Sequence, residues 1–169
     1  MGLISAKIVY GDNSMQLNPW FITGLVDGEG CFSVSFTMRE KLNIGIETRP
    51  SFAVSLNKRD LALIKQLHAF FQCGSVRFCR SDQTYKFEVR SIDDLMKKII
   101  PHFKRYPLQG NKSEHFTRFE KICFKVHANL HRSKKHLCEI IEMAYEMNPS
   151  GKRKHGKADL LKTINKSMV

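Results

Sequence analysis

Polar and apolar residues first alternate cleanly just after position 30. Phe32, Val34, Phe36 and Met38 interleave with Ser33, Ser35, Thr37 and Arg39, a period of two that predicts a half-buried strand with one greasy and one polar face. A turn over 40–43 leads to a second strand over 44–56. There Phe52, Val54 and Leu56 oppose Arg49, Ser51, Ala53 and Ser55, while Pro50 marks an edge or a bulge. The period then lengthens: Leu61, Ile64, Leu67 and Phe71 share one side of a helix over 60–72 that Gly74 stops. Two further strands follow, Val76 and Phe78 alternating with Ser75, Arg77 and Cys79, and Phe87 and Val89 alternating with Lys86, Glu88 and Arg90. Ser91 opens a helix through Ile100, with Asp94 three residues on as in a capping box, and Pro101 is expected to end it. Helices over 111–130 (Phe116, Phe119, Ile122, Cys123, Val126) and 133–147 (Leu137, Ile140, Ile141, Ala144) cap the core, and 158–164 reads as a short last helix.

Ahead of the first strand lies NPWFITGLVDGEG, residues 18–30. Asn18 is placed to cap a helix and Pro19 fits its first turn. Trp20, Phe21, Leu25 and Val26 make that helix apolar on most sides, and Gly24 and Gly28, four residues apart, permit close approach by another helix. Asp27 and Glu29 fall where the helix runs out, beside carbonyls with no intrahelical partner. Carboxylates gain nothing from the macrodipole at that end, so the placement makes most sense if a cation is bound.

The whole pattern divides the chain into an arm over 1–17 with little periodicity, one domain over 18–147, and a basic segment over 148–169 that includes the loop NPSGKRKHGK. No internal repeat is visible, and DGEG occurs once. With 169 residues, 42% of them hydrophobic, the chain is long enough for a single substantial core. Lys and Arg number 28 against 16 Asp and Glu, a net charge of +12, which points to a polyanionic partner, with nucleic acid first. No apolar run approaches the roughly 20 residues of a spanning helix, no basic amphipathic anchor stands out, and MGLISA misses the myristoylation pattern. Five cysteines, an odd number with no C-x-x-C pair, fit a reducing compartment. A zinc site of Cys123, His127 and His131 with His136 or Cys138 is the alternative; Cys123 in the core, with the histidines along a basic helix face, outweighs it.

Ser33, Ser35, Thr37, Arg39, Arg49, Ser51, Ser55, Arg77, Lys86, Glu88 and Arg90 would together form the open face of the four strands. Helices covering only the apolar face would leave this one as a broad basic saddle suited to duplex DNA, with arginines for guanine edges or phosphates and hydroxyls and Glu88 for bases. Few aromatics lie on it, which disfavours single-stranded nucleic acid.

WFITGLVDGEG resembles the signature of the LAGLIDADG homing endonucleases. Residues 22–30 stand at its nine positions, with Gly24, Asp27, Glu29 and Gly30 agreeing in kind, Ile22 and Thr23 replacing Leu and Ala, and Glu29 replacing the second Asp. The α+β order αββαββα, an antiparallel four-stranded saddle followed by C-terminal helices, is similar to that fold over 18–126. By the resemblance, two such helices pack at a pseudo-two-fold axis. One motif therefore implies a homodimer, with Phe21, Gly24, Leu25 and Gly28 at the seam. The resemblance also implies that Glu29 binds a divalent metal, Mg²⁺, with the Gly28 carbonyl as a further ligand, and that Asp27 is a structural or supporting acid. Lys112, in YPLQGNKSEHF, stands where the family carries a basic residue near the scissile phosphate, and Asn57 and Lys58 where it carries other polar active-site residues.

The expected function is a metal-dependent, site-specific double-stranded DNA endonuclease, an intron-encoded homing enzyme of an organelle, cutting both strands of a long pseudo-palindromic target. The alternative within the family is a maturase that binds intron RNA. The blander one is a DNA-binding protein that does not cut. The run Lys152, Arg153, Lys154 is expected either to touch flanking phosphates or to be simply solvated.

Overall fold

Asn18 caps helix α1, Pro19–Glu29, by accepting the amide of Trp20 on its side chain at 2.8 Å, and Pro19 occupies the first turn. The computed structural model describes residues 17–147 and 153–166; the predicted arm therefore lies outside the described residues except for Leu17. At the end of α1 the chain turns straight into strand β1, Gly30–Met38. Only glycine fits there, since a Cβ on Gly30 would stand 2.5 Å from the Val26 side chain and 2.7 Å from its carbonyl oxygen.

β2 spans Ile46–Asn57, β3 Ser75–Cys79 and β4 Thr84–Val89, and the sheet order is β1-β2-β4-β3, antiparallel throughout. The register pairs Phe32 with Phe52, Ser33 with Ser51, Phe52 with Val89 and Lys86 with Arg77, so the alternation predicted for each strand lines up across all four. β2 begins two residues later than its hydrophobic pattern, because Gly45 takes a left-handed φ of +72 and still belongs to the turn. Pro50 pairs with Val34 inside β2, whose one neighbour there is β1.

Helix α2, Leu61–Phe71, follows a short 3-10 turn at Lys58–Asp60, and its end is a left-handed Gln72 as well as the glycine beyond it. The next helical stretch corrects the sequence reading. It does not stop at Pro101: α3, Ile92–Asp94, widens into a π turn over Leu95–Ile99 and continues as α4, Ile100–Arg105. In the wide turn the Ile100 amide bonds back to the Leu95 carbonyl, five residues away, and Pro101 then sits in the first turn of α4, where a missing N–H is tolerated. α5, Lys112–His127, is shorter than expected at its end, where Asn129 adopts a left-handed φ of 59 and a 3-10 turn, Leu130–Arg132, follows. α6, Lys134–Met147, and α7, Lys157–Lys166, complete the described chain.

The apolar sheet face and the helices enclose one core in which Phe32, Phe52, Phe87, Phe103 and Phe119 are fully buried. Each such side chain contributes about 2 kcal/mol by leaving water, and they meet stacked, as Phe32 on Phe52 with centroids 5.3 Å apart, or edge to face, as Phe32 and Phe103 at 5.6 Å. Leu160 and Ile164 of α7 join the same core. Arg153, ahead of α7, is turned inward rather than toward solvent. Its guanidinium donates to the carbonyls of Val34 and Ala144 and lies 4.2 Å from the centroid of the Tyr145 ring, so it straps the chain's end to β1 and α6. Neither expectation for the basic run describes Arg153; Lys154 is exposed, and Lys152 lies outside the described residues.

Candidate functional site

The last turn of α1 gathers the polar groups singled out from the sequence. Glu29 is exposed, and among the described residues no hydrogen bond or ion pair engages its carboxylate. Asp27 points the other way: its Oδ2 accepts the amides of Gln109 at 2.8 Å and Gly110 at 3.2 Å, in the turn that precedes α5. Lys112, the first residue of α5, reaches back and donates from Nζ to the Val26 carbonyl at 2.9 Å and the Gly28 carbonyl at 3.2 Å. The Gly28 carbonyl at the helix end, and the Val26 carbonyl that already accepts the Gly30 amide, thus receive a cation. It is the lysine's own ammonium. Nothing in a one-dimensional pattern links residues more than 80 positions apart, so this pairing was invisible before the fold.

On its outer side α1 is uncovered. Trp20 is 52% and Phe21 49% exposed, and a Cβ built on Gly24 or Gly28 would meet nothing within 4 Å. Leu25 is half-buried, while Ile22, Thr23 and Val26 face the core. A greasy helix face with two bare glycines is unusual for a surface exposed to water. Thr23 donates its hydroxyl to the Tyr106 carbonyl at 2.9 Å, and Trp20 packs edge to face on Tyr106, so the orientation of α1 is fixed from behind.

The open sheet face carries the predicted polar residues in ordered rows. Ser33 and Ser51 share a hydrogen bond at 2.9 Å, and Ser35 donates to the Arg49 carbonyl at 3.3 Å. Thr37, Ser55 and Lys86 lie in the same alternation. Two acids organise the arginines. Glu88, 9% exposed, receives Arg90 at 3.0 Å with Arg77 and Lys86 slightly farther off, so it anchors cations rather than standing free for a base. Glu47, which pattern reading passed over, sits between Arg39 at 2.9 Å and Arg49 at 2.7 Å. The hydrogen bond from Arg49 is the main cause holding its carboxyl below the usual range. Its signal was there: Glu47 is two residues before Arg49 and so on the same face, opposite Thr37. Ala53, on the polar side of the alternation, is itself buried.

Val54 pairs with Gly30, and Asn57 lies three residues beyond it, at the same end of the sheet as Glu29. The Asn57 side chain accepts the Arg59 amide at 3.2 Å, capping the 3-10 turn and leaving its own amide group as a donor. Lys58 donates to the Gln83 side chain at 3.1 Å. The zinc alternative finds no support: Cys123 is fully buried and burial pushes its thiol up, and among the described residues no group of three or more His, Cys, Asp or Glu could hold a metal. All five cysteines are free. An exposed carboxylate, backbone carbonyls and a lysine at the rim of a basic saddle form a place where a divalent ion and a phosphodiester could be held together.

The chain is similar to known endonucleases. A family model described as LAGLIDADG endonuclease matches residues 22–123. Probable intron-encoded endonuclease 2 of Neurospora crassa is 34% identical over 133 residues, covering 78% of this chain and 29% of that protein. The first four curated relatives are all longer, and the chain spans between 26% and 47% of their lengths. Among solved structures, the homing endonuclease I-TnaI superposes with a TM-score of 0.78 at 31% identity, over 90% of this chain and 99% of that one. I-SmaMI bound to uncleaved DNA target in the presence of calcium ions superposes with a TM-score of 0.79 at 27% identity, over 88% of this chain and 49% of its own.

Proposed function

The chain belongs to the LAGLIDADG endonuclease family, and on that premise we propose that it is a site-specific double-stranded DNA endonuclease that acts as a homodimer with a divalent metal, Mg²⁺. The observation that carries the reading is the end of α1, where an unengaged Glu29 sits beside Lys112 on a helix whose opposite side is bare. One chain offers only part of an ion's shell. Glu29 and the second lone pair of the Gly28 carbonyl fit a hard cation, and a second copy brought against Phe21, Gly24, Leu25 and Gly28 would add its own Glu29. The bare glycines let the two helices approach closely enough for that.

When bound, the ion supplies an acidic water and charge for the leaving oxygen. The remaining roles belong to side chains. Lys112 offsets the charge that builds on the attacked phosphate from a position already fixed on the α1 carbonyls. Asn57 offers a donor at the same end of the sheet. Arg39, Arg49, Arg77, Lys86 and Arg90 hold the duplex, and Ser33, Ser35, Thr37, Ser51 and Ser55 present hydroxyls to base edges. Names such as intron-encoded endonuclease among the relatives favour an organellar, intron-borne protein, and no described helix is long and apolar enough to cross a membrane.

Selection of a cleaved sequence from a randomised duplex library, in Mg²⁺, tests the reading. Wild-type protein should release a linear product cut on both strands. Glu29→Gln should abolish cutting, by about 1000-fold or more, while binding the same duplex. Cutting by Glu29→Gln at the wild-type rate would reject Glu29 as the ion's ligand. Failure of the wild type to cut any member of the library would leave the silent DNA-binding protein or the RNA-binding maturase, and a filter-binding comparison of duplex DNA with structured intron RNA separates those two.

A further inference from the structure

We propose that Asp27 is a positioning residue that sets Lys112 against the end of α1, an inference that deepens the nuclease reading above and rests on it. A carboxylate in the last turn of a helix lies at the negative end of the macrodipole and is kept there only by some other interaction. For Asp27 that interaction is the turn ahead of α5. Oδ2 takes the amides of both Gln109 and Gly110, and Asn111, at the N-cap of α5, makes no side-chain cap of its own. Asp27 therefore holds from α1 the two residues just ahead of that N-cap, while the Ser113 and Glu114 amides of α5 bond back to the Gly110 and Asn111 carbonyls. The turn is seated tightly: a Cβ on Gly110 would stand 3.2 Å from Asp27 Oδ1, which is buried and has no hydrogen-bond partner among the described residues.

Two residues after Gly110, Lys112 completes a clasp in the opposite direction. Its ammonium binds the carbonyls of Val26 and Gly28, the neighbours of Asp27 on either side. Among the described residues no ion pair joins Asp27 to Lys112 directly, so the coupling runs through the backbone of residues 109–111. A lysine has a long, flexible stem, and its reach to the Val26 and Gly28 carbonyls depends on where its Cα is held. Releasing the turn releases the lysine.

The test uses single-turnover cleavage of the selected duplex together with the rate at which an acylating reagent modifies Lys112, read by mass spectrometry. Asp27→Ala should slow cleavage by about 100-fold, leave duplex affinity within about threefold, and make Lys112 acylate faster. Asp27→Asn, which keeps an acceptor oxygen, should recover most of both. In a Lys112→Ala background Asp27→Ala should cost nothing further, since one residue acts through the other. Gly110→Ala, which crowds the turn while Asp27 stays, should reproduce the faster acylation and the slower cutting, and it carries the test if Asp27→Ala does not fold. Losses that multiply in the double variant, or unchanged acylation in both single variants, overturn the proposal and leave Asp27 a structural acid. If the wild type cuts no duplex, the nuclease reading falls by itself, and the acylation rates alone decide whether Asp27 places Lys112.

Discussion

His102 is the residue at which burial bears most directly on pH. Its ring is 8% exposed, lies among Phe70, Phe71, Phe103 and Tyr106 with centroids about 5 Å away, and leaves Nε2 without a partner among the described residues. Burial pulls its pKa from 6.5 down to about 4. The unfolded chain therefore takes up a proton at higher pH than the folded one, so stability is full above 6.5 and falls as the pH drops toward 4. The loss attributable to this group is roughly 3 kcal/mol. Urea unfolding at about pH 7.5 and about pH 4.5 should show His102→Leu losing less stability between the two conditions than wild type. An equal loss would remove His102 as the cause. Neither this nor the Asp27 clasp was legible in the sequence, because each depends on which distant groups surround a side chain. The placement of Glu29 at the end of α1 was legible, since Asn18 and Pro19 mark the start of an apolar, glycine-bearing helix and the acid falls where it runs out.

Elements were legible where one periodicity ran unbroken. The strands and their polar faces follow from alternation alone, and the antiparallel register preserves it from β1 to β3. The continuation through Pro101 was not, because a proline reads as a stop unless the turn before it widens, and widening leaves no compositional mark. Helix α1 permits a sharper prediction. Gly24 meets nothing within 4 Å in one copy, so Gly24→Leu should fit the isolated chain and even favour the helix by about 0.5–1 kcal/mol. Between two packed copies the same side chain would hold the helices apart. Thermal melts should therefore be unchanged or higher while sedimentation shows weaker self-association and cleavage is lost. Undiminished self-association by Gly24→Leu would place the seam elsewhere on the molecule.

At the scale of the whole molecule, the net charge of +12 is not spread evenly over function. On the saddle, Arg39, Arg49, Arg77, Lys86 and Arg90 outnumber Glu47 and Glu88, and each acid is already shared among two or three of those cations. The acids hold the arginines in place at the cost of some attraction for phosphate, so one copy should bind a duplex with moderate affinity and appreciable salt dependence. A symmetric pair, if the proposed homodimer forms, would present two such saddles to the two halves of a pseudo-palindrome. Counterions released on binding then scale with the number of saddles engaged. The slope of log affinity against log salt should be about twice as steep on a full target as on a half target, and sedimentation should find two chains per full duplex. Equal slopes on the two targets with one chain per duplex would mean that a single saddle does all the binding, and the bare face of α1 would then need another occupant.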